Sequence, residues 1–355
     1  MTQTLSSAAV PTPALAAGTS RLRRVLRTLA IVSCAPYVSL KVAWLAGSHL
    51  GIPENSSLLD HRTTMAIANG LSVLLDSAVI VLALLLTRPW GMRVPAWLLA
   101  FPMWVATGLL APIMTGFPVQ LLVKALGGSV PTSSGTGSAA FLDEWVFGVV
   151  YTGFIVQGLA LGTLFVLYAR DRWGHLWQGR VRELPAGSMG VTHRASAVAA
   201  AVLALFPAGM HLLWACGGTA GLSEGRIADR TGDFYALEAM YVVFLAAAVT
   251  GAWLLAFRRG RALPVKVPLA LAWIGSGAAA CWGGWLSLAS LTVDDSAEGP
   301  TRLMNLTYAG QMIVGMLVVS VGAYFLAERS RAARRSGTAL GSGPAQRPAN
   351  GVSPA

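Results

Sequence analysis

Asp76 stands in the apolar run LSVLLDSAVIVLALLL (71–86), with no polar shell in its own sequence. A carboxylate inside a bilayer costs about 2.5–3.5 kcal/mol on insertion scales, so each such residue is a candidate site. Lys41 lies in a second apolar run, within LKVAWLAG, and His211 takes the matching place in a fifth, within MHLLWACG. Asp143, Glu144 and Glu238 stand where two further runs begin. With Trp44, Trp145 and Trp214 at similar depth, these residues outline an outward-facing polar and aromatic pocket.

Each group also has a plainer reading. Lys41 and Asp76 suit an ion pair between neighbouring helices, since polar contacts commonly join membrane helices. Asp143, Glu144 and Glu238 suit helix N-termini, where acids oppose the dipole. The tryptophans suit an aromatic belt at the interface, and His211 a hydrogen bond within the bundle. Three classes of function remain open. One is a protein that binds or transports a small or lipidic molecule through Lys41, Asp76 and His211. Another is an enzyme on an apolar substrate, such as a terpenoid cyclase, with Asp76 or Glu238 as a desolvated acid and aromatic faces for a carbocation. The third is an accessory or scaffold subunit that recognises a membrane-protein partner, with Arg-rich loops on anionic lipid.

Several other chemistries fall away. The cysteines Cys34, Cys216 and Cys281 are far apart, with no CxxC or CxxCH, which argues against zinc, iron–sulfur and c-type haem. A haem between helices needs a second axial ligand, yet His49, His61, His175 and His193 all lie in loops. The string DDSAE (294–298) has a diphosphate–magnesium spacing but falls in a connector beside Gly299-Pro300. Ser276 lacks the order of a membrane serine protease and any histidine base, and small residues for close helix contact explain its surroundings better. No GxxxxGK[ST] loop exists. No metal and no cofactor is expected.

The elements that position these groups follow from composition. Of 355 residues, 55% are hydrophobic and only 12% charged, against about 25% charged in a soluble domain. Apolar runs fall near 24–46, 65–87, 95–113, 145–169, 195–217, 235–257, 268–292 and 303–327. Each is long enough for a hydrocarbon core of about 30 Å, and helix is the open-chain element that satisfies its backbone there. The fold class is therefore all-α, a polytopic bundle of eight transmembrane helices. Residues 114–127, interrupted by Pro118 and Lys124, either extend the third helix or lie at the interface.

The net charge of +11 has a topological source. Twenty of the 26 basic residues fall in the N-terminal segment, the connectors 88–94, 170–194 and 258–266, and the C-terminal segment. The positive-inside rule then places both termini in the cytoplasm, and the partner of the basic surface is a lipid bilayer, not nucleic acid. Arginine outnumbers lysine heavily, and Gly and Ala abound, as in chains from GC-rich bacterial genomes. A bacterial plasma membrane is the expected location.

An internal repeat is also expected. Trp44 and Gly47 match Trp214 and Gly217, Val94-Pro95 matches Val267-Pro268, and Tyr151, Gly153, Gly158 and Arg172 match Tyr308, Gly310, Gly315 and Arg329. Four helices per repeat is even, so the halves would be parallel, with a cavity between them. The expected organisation is a disordered tail (1–20), a first membrane half (21–170), a basic linker (171–194), a second half (195–330) and a disordered tail (331–355). The passages WLAGSHLGIP (44–53) and WACGGTAGL (214–222) resemble a Trp-x-x-Gly-Gly-type signature of an uncharacterised actinobacterial family of eight-helix integral membrane proteins. The first copy has Ser48 where the second has Gly218. That resemblance implies a cell-membrane location and no particular activity.

Overall fold

The computed structural model describes residues 13–54, 56, 62–126, 142–184, 190–228, 230, 232–291 and 299–341. Ten α-helices are described: α1 (Pro13–Val32), α2 (Ala35–Leu45), α3 (Arg62–Leu85), α4 (Ala96–Ala125), α5 (Glu144–Trp173), α6 (Val191–Ala215), α7 (Glu224–Ala228), α8 (Gly232–Phe257), α9 (Lys266–Ser290) and α10 (Arg302–Gly341). Among the described residues no strand forms beyond one isolated bridge, Arg180 with Pro264. Eight segments are long and apolar enough to cross a membrane, α1 and α2 together supplying the first. The chain is thus an all-helical, multi-pass membrane protein.

One open reading is decided, and two elements differ from expectation. α4 continues to Ala125 through Pro102, Pro112 and Pro118, so residues 114–125 extend the third span. Helix replaces the expected irregular tails over part of both ends, from Pro13 and as far as Gly341. The first span is broken, with α1 ending at Val32 and α2 restarting at Ala35 with a proline, Pro36, in its first turn. Pro36 has no N–H for the Val32 carbonyl, which removes one rung of the ladder. The fifth span carries Pro207 yet stays continuous.

The second half is the tighter one. There α8 and α10 pack on each other and on both α6 and α9, whereas in the first half α3 barely meets α4. Otherwise the pairings correspond: first span with second, first with fourth, third with fourth and second with fourth, in each half. α9 is the centre of the tight half because its face is Gly275, Ser276, Gly277, Ala278, Ala279, Ala280 and Gly283, all buried. A Cβ at Gly275 would stand 2.4 Å from the Ala248 backbone of α8, and one at Gly283 2.6 Å from the Tyr308 carbonyl of α10. Small residues here let backbones touch, which substitutes in lipid for a hydrophobic driving force. Gly158 instead makes room for the Met114 side chain, and Gly162 meets nothing within 4 Å.

The halves join chiefly where α4 meets α9 and α8. Gly108 and Gly277 bring the α4 and α9 backbones together, a Cβ at Gly108 falling 2.3 Å from the Gly277 carbonyl oxygen. Three indoles stitch the seam. Trp104 donates to Ser276 Oγ at 3.0 Å, Trp273 to Thr107 Oγ1 at 3.3 Å and Trp282 to the Leu109 carbonyl at 3.2 Å. Ser276 is thereby a packing hydroxyl.

At the Arg-rich end the linker over residues 171–184 packs against the second half. Val181 and Leu184 are buried in the core cluster of the second half. The Val181 N–H donates to the Leu263 carbonyl, and Arg329 donates to the Leu176 and Gln178 carbonyls. Glu183 accepts the Arg180 backbone N–H at 3.0 Å, which holds its carboxyl below the usual range. Arg172, which aligns with Arg329, donates to the Val94 carbonyl and to Tyr168.

Candidate functional site

The two Trp-Gly passages form the same turn. The N–H groups of Gly47 and Ser48 donate to the carbonyls of Trp44 and Ala43; those of Gly217 and Gly218 donate to Trp214 and Leu213. That is the Schellman helix end, and it needs a left-handed residue. Gly47 and Gly217 supply it at φ +89° and +91°. In each turn the indole N–H then reaches six residues on, Trp44 to the Leu50 carbonyl at 2.8 Å and Trp214 to the Ala220 carbonyl at 3.0 Å. Both indoles are buried in small apolar clusters, so they are staples and not a lipid-facing belt. Trp44→Phe and Trp214→Phe should each lower stability by about 1 kcal/mol, the net value of one hydrogen bond, and the losses should add in the double variant. Thermal melts of detergent-purified protein would check both.

Just below these turns each half holds a polar cluster. In the second, the His211 ring lies between Glu238 of α8 and Gln311 of α10, Nδ1 2.5 Å from Glu238 Oε2 and Nε2 2.8 Å from Gln311 Oε1. Each ring nitrogen thus has one oxygen within hydrogen-bond reach, a carboxylate's at Nδ1 and an amide's at Nε2. His211 is fully buried, Glu238 and Gln311 nearly so, and Trp214 and Tyr241 enclose the ring. Every side-chain hydrogen-bonding group of His211 is matched.

In the first half Lys41 Nζ donates to Asn69 Oδ1 at 2.9 Å and sits over the rings of Tyr37 and Trp44. No ion pair forms between Lys41 and Asp76. Asn69 and Asp76 are seven residues apart, so they share one α3 face about 10 Å from each other along the axis. Gln157 of α5 donates to Asp76 Oδ1 at 3.4 Å. Asp76 Oδ2 and Gln157 Oε1 are buried and have no hydrogen-bond partner. Below Asp76 the same α3 face turns apolar. Val79, Leu82, Ala83 and Leu86 pack there with Leu161, Leu164, Leu99 and Met103. The result is a polar lane, Lys41, Asn69, Ser72 and Asp76 in order of depth, ending on an apolar plug.

The eight candidate residues with described side chains fall into separate places. Lys41, Trp44 and Asp76 belong to the first half, whereas His211, Trp214 and Glu238 form a separate cluster in the second. At the level of Gly108 and Gly277 touching backbones occupy the place where a cavity between halves was expected. Asp143 stands at the N-cap position of α5 without a side-chain cap bond and is exposed; its Oδ2 accepts the Trp145 indole N–H at 3.3 Å, and Trp145 covers Gly51. The side chain of Glu144 and the whole of DDSAE lie outside the described residues. Three amides went unread: Asn69, Gln157 and Gln311. Their only signal was a neutral polar residue inside an apolar run, strongest for Asn69 because it stands two turns from Asp76.

No known protein family, curated protein or solved structure gives a significant match to this chain.

Proposed function

We propose that this chain, with both termini in the cytoplasm of a bacterium of the actinobacterial kind, binds or transports a small molecule or the head of a lipidic one. Its site is the polar lane of the first half, open to the outside, and not a cavity between halves. The observation that carries this reading is Asp76, whose second oxygen is buried in mid-span with no partner. A buried unmatched carboxylate is costly unless a guest completes it. The sparse packing of α3 against α4 and the break between α1 and α2 support a lane that loosens to admit one. Glu238, the other candidate acid, is already engaged by His211, which disfavours acid catalysis there.

Thiol labelling in intact cells tests the lane. In a variant with Cys34, Cys216 and Cys281 replaced by Ala, Asn69→Cys and Ser72→Cys should react from outside with a membrane-impermeant maleimide. Leu82→Cys, within the plug, should stay protected. Labelling of Leu82→Cys alone, or of the lane positions only after the cytoplasmic side is opened, would overturn the reading.

A further inference from the structure

The floor of the lane holds acceptors and lacks a donor. Asp76 is 4% and Gln157 2% exposed, yet Asp76 Oδ2 and Gln157 Oε1 have no partner. The one bond between these side chains, from Gln157 Nε2 to Asp76 Oδ1, orients both and leaves the two oxygens free. Lys41 does not complete them, because its ammonium is engaged by Asn69 and two aromatic rings. Tyr37 and Cys34 of the first span and Tyr151 of α5 are the other ionisable side chains facing this level, and none carries a positive charge.

The break in the first span lies at the same depth. Cys34 packs in one cluster with Val79 and Leu161, residues about one turn from Asp76 and Gln157. Gly153, one turn from Gln157 on α5, approaches the break so closely that a Cβ there would stand 3.0 Å from the Ser33 carbonyl oxygen. Pro36 leaves the Val32 carbonyl without its helical donor. Carbonyls released at interrupted membrane helices are suited to small cations. Carboxylate, amide and carbonyl oxygens form a hard-donor set that carries a single negative charge. Among the described residues no group of three or more His, Cys, Asp or Glu could hold a metal ion, so a multiply charged metal is poorly matched.

We infer that Asp76 and Gln157, with the carbonyls at the break, bind a monovalent cation, either a sodium ion or a primary ammonium group. The inference rests on the lane as the route by which such a cation reaches mid-span. The ion's charge balances Asp76, and its coordination occupies the two free oxygens. Binding would also draw α2 and the break toward α3 and α5.

Purified full-length protein in lipid nanodiscs, titrated calorimetrically with sodium chloride, methylammonium chloride or choline chloride, tests this. Saturable heat with sodium identifies an alkali-ion site; saturable heat with methylammonium alone identifies an ammonium site. Choline, whose nitrogen has no N–H, should be silent. Asp76→Asn should weaken binding by about tenfold or more, and Gln157→Glu, which keeps an oxygen and adds charge, should tighten it. A melting temperature that rises with the bound cation in wild type and stays flat in Asp76→Asn guards against a folding defect. The proposal is overturned if neither cation binds wild type; an infrared carboxyl band showing Asp76 protonated from about pH 5 to 9 would then name a proton as the occupant. Cation binding in a protein whose lane resists thiol labelling would refute the outward route and keep the site. Labelling without cation binding would do the reverse.

Discussion

Glu238→Ala should destabilise the protein by about 3–5 kcal/mol, the range found when one partner of a buried ion pair is removed. The variant would leave the His211 ring fully buried with its Nδ1 unmatched, inside a shell closed by Trp214 and Tyr241. Neutral hydrogen bonds between membrane helices average nearer 0.6 kcal/mol, so a loss in the larger range identifies an ionic pair and a loss near the smaller one a neutral pair. Removing the whole cluster should therefore cost less than removing one member. The triple variant His211→Leu, Glu238→Leu, Gln311→Leu keeps apolar bulk and leaves no buried polar group without a partner. Thermal or denaturant unfolding in detergent would compare the two. If the triple variant proved less stable than Glu238→Ala, the ion-pair account would fail.

The two polar clusters stand at matching positions and are built to different ends. Lys41 and His211 occupy the same place below the same Trp-Gly turn. In the second half α8 and α10 close on His211 with a carboxylate and an amide, and three spans are locked together. In the first half the cation takes only Asn69, and the carboxylate lies deeper with an oxygen to spare. The second half is thus the closed one, and the first keeps an incomplete polar site. Their packing agrees: α9 is buried among α8, α10 and α4, whereas the first span is broken and α3 has little contact with α4.

Much of the fold was legible because a bilayer leaves few choices. An apolar run of 18 residues or more has to be a helix, and each of the eight runs overlaps a helical span. The break after Val32 was less legible, since Pro36 and Pro207 look alike in sequence while only the first interrupts its helix. The linker at 171–194 read as a basic connector, yet Val181 and Leu184 pay for its folding with two buried side chains. The site divided along the same line. Charges such as Asp76 and Glu238 announce themselves by their insertion cost, but which neighbour answers them depends on helix packing. Lys41 and Asp76, nearest in charge and in adjacent spans, each bonded instead to an amide that sequence alone gave no reason to choose.

The glycine contact between halves carries the second large effect. Gly108→Leu should lower stability by about 3 kcal/mol, the upper end for overpacked cores. The reason for the upper end is what the new side chain meets. Its Cβ alone would lie 2.3 Å from the Gly277 oxygen and 2.5 Å from the Gly277 carbonyl carbon, backbone atoms of α9 that no rotamer change can move. α9 cannot retreat either, because its Gly275 and Gly283 faces are already in backbone contact with α8 and α10. The strain must therefore open the α4–α9 seam, stretching the Trp104–Ser276 and Trp282–Leu109 hydrogen bonds at its two sides. Gly162→Ala, on a lipid-accessible face with nothing within 4 Å, should leave stability unchanged or slightly raised by helix propensity. Melting curves of the two variants in the same detergent separate a seam from a generic cost of losing glycine. Equal losses at both positions would mean that the halves are not held by this contact.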